Sequence, residues 1–229
     1  RNFDLLTLGQ VLLRLSPPDN ERLSRGDTFV KQVGGAELNV AVGAALLGLH
    51  TGVISKLPAH DIGSFMKGKI RSFGVSDDFF MYDQSPAARV GIYYYENGAY
   101  PRKPKVIYDR NHSSFFSLDI DEIPEEVYTA SKCFHTTGIT LALNEDIRET
   151  TIEMIKRFKA AGTLVSFDVN FRGNLWTGDQ ARECILRILP YVDIFFCSED
   201  TARLTFLKTG TAREMMKSFT EEFPISIVA

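Results

Sequence analysis

The run Phe3-Asp-Leu-Leu-Thr-Leu8, closed by Gly9, predicts a buried strand at the start of the chain. Strand-like and helix-like patterns alternate after it. Asn39 to Leu49, rich in Ala, Gly, Val and Leu, predicts a tightly packed helix. Asp61 to Phe73 places Ile62, Phe65, Met66, Ile70 and Phe73 near helical spacing, with Gly74 as the stop. Lys132 to His135 predicts a short strand leading into Thr136-Thr137-Gly138. Asn144 is placed to cap a helix running to about Ala160, with Ile147, Thr151, Met154, Ile155 and Phe158 on one face and Gly162 closing it. Thr163 to Asp168 predicts the next strand. A helix from Gly178 to Leu189 follows, ended by Pro190. Asp193 to Cys197 predicts a strand, Ser198 caps a short helix through Leu207, Thr211 to Glu222 predicts another helix, and Ile225 to Val228 another strand. Strands separated by single helices imply right-handed crossovers and a largely parallel sheet.

One region breaks this rhythm. Arg89 to Tyr95 and Val106 to Arg110 are β-rich, with Asn97-Gly98, Pro101 and Pro104 between them, and no helix fits there. Gln10 to Leu15 and Thr28 to Val33 also read as extended. Together these four pieces predict a small second sheet at the mouth of the main one, drawn from about residues 10–33 and 88–112. The hydrophobic strand at Ile225 to Ala229 has no polar tail behind it, which predicts that the chain is the front part of a longer protein.

Composition narrows the class without naming a chemistry. The chain has 229 residues, 26 Lys and Arg against 29 Asp and Glu, a net charge of −3 and 44% hydrophobic residues. These values exclude a disordered chain, a collagen-like repeat and a strongly basic nucleic-acid binder. Cys133, Cys184 and Cys197 are odd in number and far apart, so reduced thiols in a cytoplasmic protein are expected rather than a disulfide framework or a zinc site. The longest apolar stretch, Val40 to Leu49, is too short to span a bilayer, and no secretory leader opens the chain.

Candidate chemistry gathers at the predicted strand ends, where open α/β sheets bind ligands. Val33-Gly34-Gly35-Ala36-Glu37-Leu38-Asn39 joins an extended run to a helix. Its glycines let backbone approach a ligand, the helix start offers free N–H donors, and Asn39 can serve a hydroxylated ligand. A plain turn with a helix cap explains the same residues. Asp168-Val169-Asn170-Phe171-Arg172 brings an acid, an amide and a guanidinium to one strand end, as an anion clamp or as a surface ion pair. Ser198-Glu199-Asp200 fits a helix start, where acids suit the dipole, or a support near a magnesium-bound nucleotide. Tyr93, Tyr94, Tyr95, Tyr100, Tyr108 and Arg110 either cover an anionic small molecule or pack across strands. P-loop, dinucleotide, metalloprotease and nucleophile-elbow motifs do not occur, and His50, His60, His112 and His135 lack ligand spacing.

The run Gly34-Gly35-Ala36-Glu37-Leu38-Asn39-Val40-Ala41, preceded by Leu12-Leu13-Arg14-Leu15-Ser16-Pro17-Pro18, resembles the amino-terminal half of ribokinase-family (PfkB-type) carbohydrate kinases. Phe167-Asp168-Val169-Asn170-Phe171-Arg172-Gly173-Asn174-Leu175-Trp176 and Ser198-Glu199-Asp200 are similar to segments of the 2-keto-3-deoxygluconate kinase branch. The resemblance implies one ribokinase-like domain over 1–229, a three-layer α/β/α sandwich with a small β-sheet lid. It implies ATP-dependent phosphorylation of a sugar acid, 2-keto-3-deoxygluconate to its 6-phosphate, with ATP and Mg2+ as cofactors and no protein metal ligand. It places Gly34, Gly35, Ala36, Glu37, Leu38 and Asn39 against the sugar, with Tyr93 as a lid contact and Tyr108 and Arg110 as a second substrate pair. Arg172 is implied at the substrate carboxylate and the phosphoryl end, in a catalytic role. Asn170, Phe171, Arg172 and Ser198 are implied near the nucleotide.

The resemblance further implies that an aspartate in a G-[AS]-G-D segment takes the hydroxyl proton. That segment is not among these residues, so the base is expected beyond Ala229. Gln10 stands where the family often carries an acid, and Thr201 where it carries the last acid of an N-x-x-E run. A homodimer joined through the lid is expected, with no nucleic-acid or membrane partner. A fructokinase or another neutral-sugar kinase, and a non-catalytic sugar-binding or dimerising module, are the alternative readings.

Overall fold

A computed structural model describes all 229 residues. The strands are β1 (Phe3–Leu8), β2 (Leu12–Ser16), β3 (Val30–Gly34), β4 (Thr51–Pro58), β5 (Val75–Ser76), β6 (Phe80–Asp83), β7 (Gly91–Glu96), β8 (Lys105–Asp109), β9 (Ser131–Thr137), β10 (Leu164–Asp168), β11 (Ile194–Phe196) and β12 (Ile227–Val228). The α-helices are α1 (Ala36–Leu46), α2 (Asp61–Ser72), α3 (Val127–Ala130), α4 (Gly138–Leu141), α5 (Glu145–Ala160), α6 (Gly178–Leu186), α7 (Glu199–Leu204) and α8 (Ala212–Glu222). No helix is long and apolar enough to cross a membrane.

The large sheet runs β12-β11-β10-β9-β1-β4-β5, with β6 also on β4, and every pairing in it is parallel. Parallel strands are covered by their crossover helices, so their sequences read as apolar runs rather than alternations. Alternate residues of β4 still separate two cores. Ile54 joins Phe134, Phe158, Phe167 and Phe195 on the α5 side, while Val53 and Leu57 join Leu38, Met66 and Ile70 under α1 and α2. Helices therefore pack on both faces. On the α1 side the cover stops short of the β10–β12 end, where Leu164 and Phe196 are exposed.

α5 shows how the sequence sets an element. The Asn144 side chain accepts from the Ile147 N–H at 2.8 Å, Glu145 and Asp146 sit in the first turn, and Arg157 and Lys159 in the last. Ile147, Ile152, Met154, Ile155 and Phe158 are buried, and Phe158 stacks on Phe134 with ring centroids 4.1 Å apart.

The second sheet is β3-β2-β7-β8, antiparallel at both edges and parallel between β2 and β7. The helix read as starting at Asn39 begins three residues earlier, at Ala36, directly after Gly35. β4 lacks a strand signal in the sequence, because Gly52, Ser55, Lys56 and Pro58 break the apolar run. α6 ends at Leu186, and Pro190 falls in a separate single 3₁₀ turn.

Candidate functional site

The small sheet turns one face toward the carboxyl ends of β1, β9 and β10. Register pairs Arg14 with Tyr93, Tyr93 with Tyr108, and Tyr95 with Val106, so these side chains share that face. Between them and the parallel sheet lies a cavity of about 620 Å³. Its floor comes from Gly35, Ala36, Glu37 and Asn39 at the start of α1. Its far wall comes from Ile139, Asn170, Arg172, Asn174 and Leu175.

Local geometry explains how each group arrives. Gly35 has φ 145°, and a Cβ there would lie 2.7 Å from the Gln10 carbonyl oxygen, so only glycine lets the chain turn into α1 at this point. Asn170 sits at φ 39° in the left-handed region, and its N–H donates to Asp168 Oδ1 at 3.0 Å, a turn that Asn tolerates. That turn swings Arg172 to the cavity wall.

Arg14, Arg110 and Arg172 all line this cavity, against Glu37 as its one carboxylate. None of the three arginines forms an ion pair; the Nε of Arg14 donates to Ser16 Oγ, that of Arg110 to Gln10 Oε1, and Arg172 Nη1 to the Phe171 carbonyl. Glu37 is 2% exposed, and its Oε1 accepts from the hydroxyls of Thr137 at 2.6 Å and Thr140 at 2.8 Å. Burial raises its pKa, opposed by those two hydroxyls and by Arg110. Burial likewise raises the Tyr93 phenol, with Arg14 opposing, and the Asp168 carboxyl, with the Asn170 N–H opposing. A groove beside α5 is lined by Asp119, Asp146, Glu149 and Glu153 and suits no anion.

Of the residues singled out from sequence, Gly35, Ala36, Glu37, Asn39, Tyr93, Tyr108, Arg110, Asn170 and Arg172 meet around this cavity. Gly34 is buried beneath the Tyr93 hydroxyl. Three fall elsewhere. Leu38 is 2% exposed and packs in the core under α1, one helical turn from Ala41. Phe171 packs on the main core. Ser198 caps α7, accepting from the Thr201 N–H, with Glu199 and Asp200 exposed in the first turn. Tyr95, read among the tyrosines that could cover a ligand, lines the cavity, whereas Tyr94 and Tyr100 do not; Arg14 and Asn174 were missed as wall residues. A charged Arg14 inside Leu12-Leu13-Arg14-Leu15 was the available signal. No group of three or more His, Cys, Asp or Glu side chains gathers to hold a metal ion.

The model of the pfkB family of carbohydrate kinases matches residues 2–225. The chain belongs to that family. It is 35% identical over 98% of its length to the 2-dehydro-3-deoxygalactonokinase of Haloferax volcanii, of which it covers 70%. It is 31% identical to the 2-dehydro-3-deoxygluconokinase of Bacillus subtilis, over 78% of this chain and 54% of that protein. Its fold superposes with a TM-score of 0.90 and 30% identity on the crystal structure of a 2-dehydro-3-deoxygluconokinase from Thermotoga maritima, over 99% of this chain and 72% of that one. The chain therefore spans about half to somewhat under three quarters of these relatives. Within this pfkB family member, the ribokinase-like α/β fold is shared along nearly the whole chain.

Proposed function

We propose that the protein phosphorylates a 2-keto-3-deoxy sugar acid, 2-keto-3-deoxygluconate, on its 6-hydroxyl with ATP. The single observation that carries this reading is the arginine-rich wall: three guanidiniums without ion pairs face one buried glutamate. A neutral sugar gives such a wall nothing to neutralise, whereas a carboxylate accepts bidentate hydrogen bonds from it. In this reading Arg110 holds the substrate carboxylate and Tyr93 and Tyr108 roof the carbon chain. Asn39 hydrogen-bonds a hydroxyl, and Gly34, Gly35 and Ala36 keep the backbone close to the sugar. Arg172 reaches the phosphoryl end, with Asn170 beside the nucleotide.

A magnesium ion carried on nucleotide phosphates needs few protein ligands. It would neutralise charge developing on the transferred group. The proton acceptor is assigned to the glycine-flanked aspartate that the family implies, since the cavity's own acid, Glu37, is held by Thr137 and Thr140.

The galactonate epimer is the second reading, favoured by the higher identity to the Haloferax protein. Turnover of both epimers and of fructose by the full-length gene product tests the proposal. Faster turnover of fructose, untouched by Arg110→Ala, would overturn it. The reading includes a homodimer joined across the outer face of the small sheet, where Phe29 is 46% and Ile107 45% exposed. Sedimentation as a monomer at micromolar concentration would remove that part.

A further inference from the structure

Glu37 is the only titratable side chain of α1, and it lines the cavity while only 2% exposed. The hydrogen bonds it receives from Thr137 and Thr140 both fall on Oε1. No side chain donates to Oε2, which lies against Gly9, where any Cβ would collide with it. One carboxyl oxygen is thus fixed, and the other is free to carry a proton.

One charge faces this carboxyl. Arg110 bears on Glu37, and Glu37 is the largest charge acting on Arg110, yet the two close no ion pair. Thr137 at the end of β9 and Thr140 in α4 do not titrate. His135, farther back on β9, is neutral above about 4, where burial pushes its pKa down. The charge acting on Asp168, at the end of β10, is Arg172, and the buried Tyr93 phenol of β7 stays protonated. Gln10 holds Arg110 at Nε, which leaves the terminal nitrogens for a ligand carboxylate. An anion held there cancels the cation that keeps Glu37 ionised and adds a like charge beside it. Both changes favour the protonated carboxyl.

We propose that Glu37 is the proton-accepting residue of the binding step: the cavity takes up a sugar-acid anion together with a proton from solvent, which settles on Oε2. The proposal rests on the sugar-acid reading and deepens it. No bond of the ligand changes, and the bound state sets Arg110 against the ligand's carboxylate beside a neutral Glu37. Glu37 does not create the preference for an anion, which the guanidiniums supply; it makes that binding depend on pH.

The test is calorimetry of 2-keto-3-deoxygluconate binding to the full-length gene product. Pairs of buffers with different ionisation enthalpies count the protons taken up, at pH values stepped upward from 4.5. The wild type is expected to take up part of a proton per anion bound. Across the pH range of that uptake it should lose up to about tenfold in affinity per pH unit. The uncharged methyl ester brings no like charge and should take up far less. Glu37→Gln should bind the anion without proton uptake, its affinity constant within about twofold over the same range. A purely structural role would lower the stability of the variant and leave its proton count unchanged. Equal uptake in Glu37→Gln therefore overturns the proposal, as does a wild type that takes up no proton at any pH. If Glu37→Gln does not fold, infrared difference spectra decide. Anion binding should add the C=O stretch of a protonated carboxyl, and Thr140→Val, which removes a donor to Oε1, should shift it. No such band, or one that Thr140→Val leaves in place, overturns the proposal. A wild type that binds the anion no better than the ester sinks the sugar-acid reading itself; anion binding without proton uptake sinks only the role of Glu37.

Discussion

The layer between the parallel sheet and α5, and the cavity between that sheet and the small one, treat their side chains in opposite ways. In the layer, Phe134, Phe158 and Phe167 are fully buried and ring packs on ring. In the cavity, tyrosines are half-buried and three arginines lack ion-pair partners. Satisfied apolar contacts stabilise the fold; unsatisfied cations do not, and persist where something else is to complete them. Changes in the layer should therefore cost stability without altering selectivity, and changes at the cavity should do the reverse.

The largest expected effect lies in the layer. Phe158→Ala removes the ring that stacks on Phe134 and meets Tyr128 edge-on. It should cost about 3–5 kcal/mol of unfolding free energy, read by urea denaturation. The fraction that remains folded should bind sugar acid with unchanged affinity. A loss below about 1 kcal/mol would show that the layer collapses around the gap. Arg110→Ala is the converse change. Losing charge-assisted bonds to a carboxylate should weaken sugar-acid binding by about 2–3 kcal/mol, roughly 30- to 150-fold. Arg110 has no ion pair to lose, so the stability cost should be only that of leaving the buried Gln10 Oε1 without its donor, about 1–3 kcal/mol and less than that of Phe158→Ala.

The contrast also explains what the sequence could reveal. The apolar runs of β1, β9 and β10 and the capped periodicity of α5 speak directly, because burial on both faces leaves few alternatives to Leu, Val and Phe. The small sheet announces itself through Asn97-Gly98, Pro101, Pro104 and the run of tyrosines. β4 stays silent, since contacts with β1, β5 and β6 override its Gly52, Lys56 and Pro58. Most of the cavity's residues were legible as types at strand ends. Their facing was not: Leu38 and Asn39 are neighbours in sequence, yet one is buried and the other lines the cavity. Gln10 was legible only as a departure from the family pattern, because its meaning lies in Arg110, a hundred residues away.

Glu37 sharpens the comparison with a smaller effect. Burial holds its carboxyl above the 4.5 it has when exposed. Between that value and its native pKa the folded protein holds a proton that the unfolded chain has released. Its contribution to stability is therefore present below that window and falls as pH rises through it, by at most about 1.4 kcal/mol per pH unit for one group. Glu37→Gln should remove this fall, so in thermal melts the variant should gain on the wild type as pH rises above 4.5. Parallel curves for the two proteins would mean that Arg110 keeps Glu37 ionised throughout. The cavity would then carry one compensated cation more than the geometry suggests.

The smallest effect separates the helix starts of the two regions. α5 begins on Asn144, whose side chain satisfies the Ile147 N–H, while α1 begins on Gly35 with no side-chain cap. A capped start is complete in itself; the start of α1 opens on the cavity and leaves its first N–H groups for whatever enters. Asn144→Ala should cost about 1 kcal/mol of stability with no change in ligand affinity. Saturating sugar acid should add the same increment of stability to the variant as to the wild type, because the cap and the cavity share no partner. A smaller increment in the variant would couple α5 to the cavity, and the division between a layer that stabilises and a cavity that binds would fail at this helix.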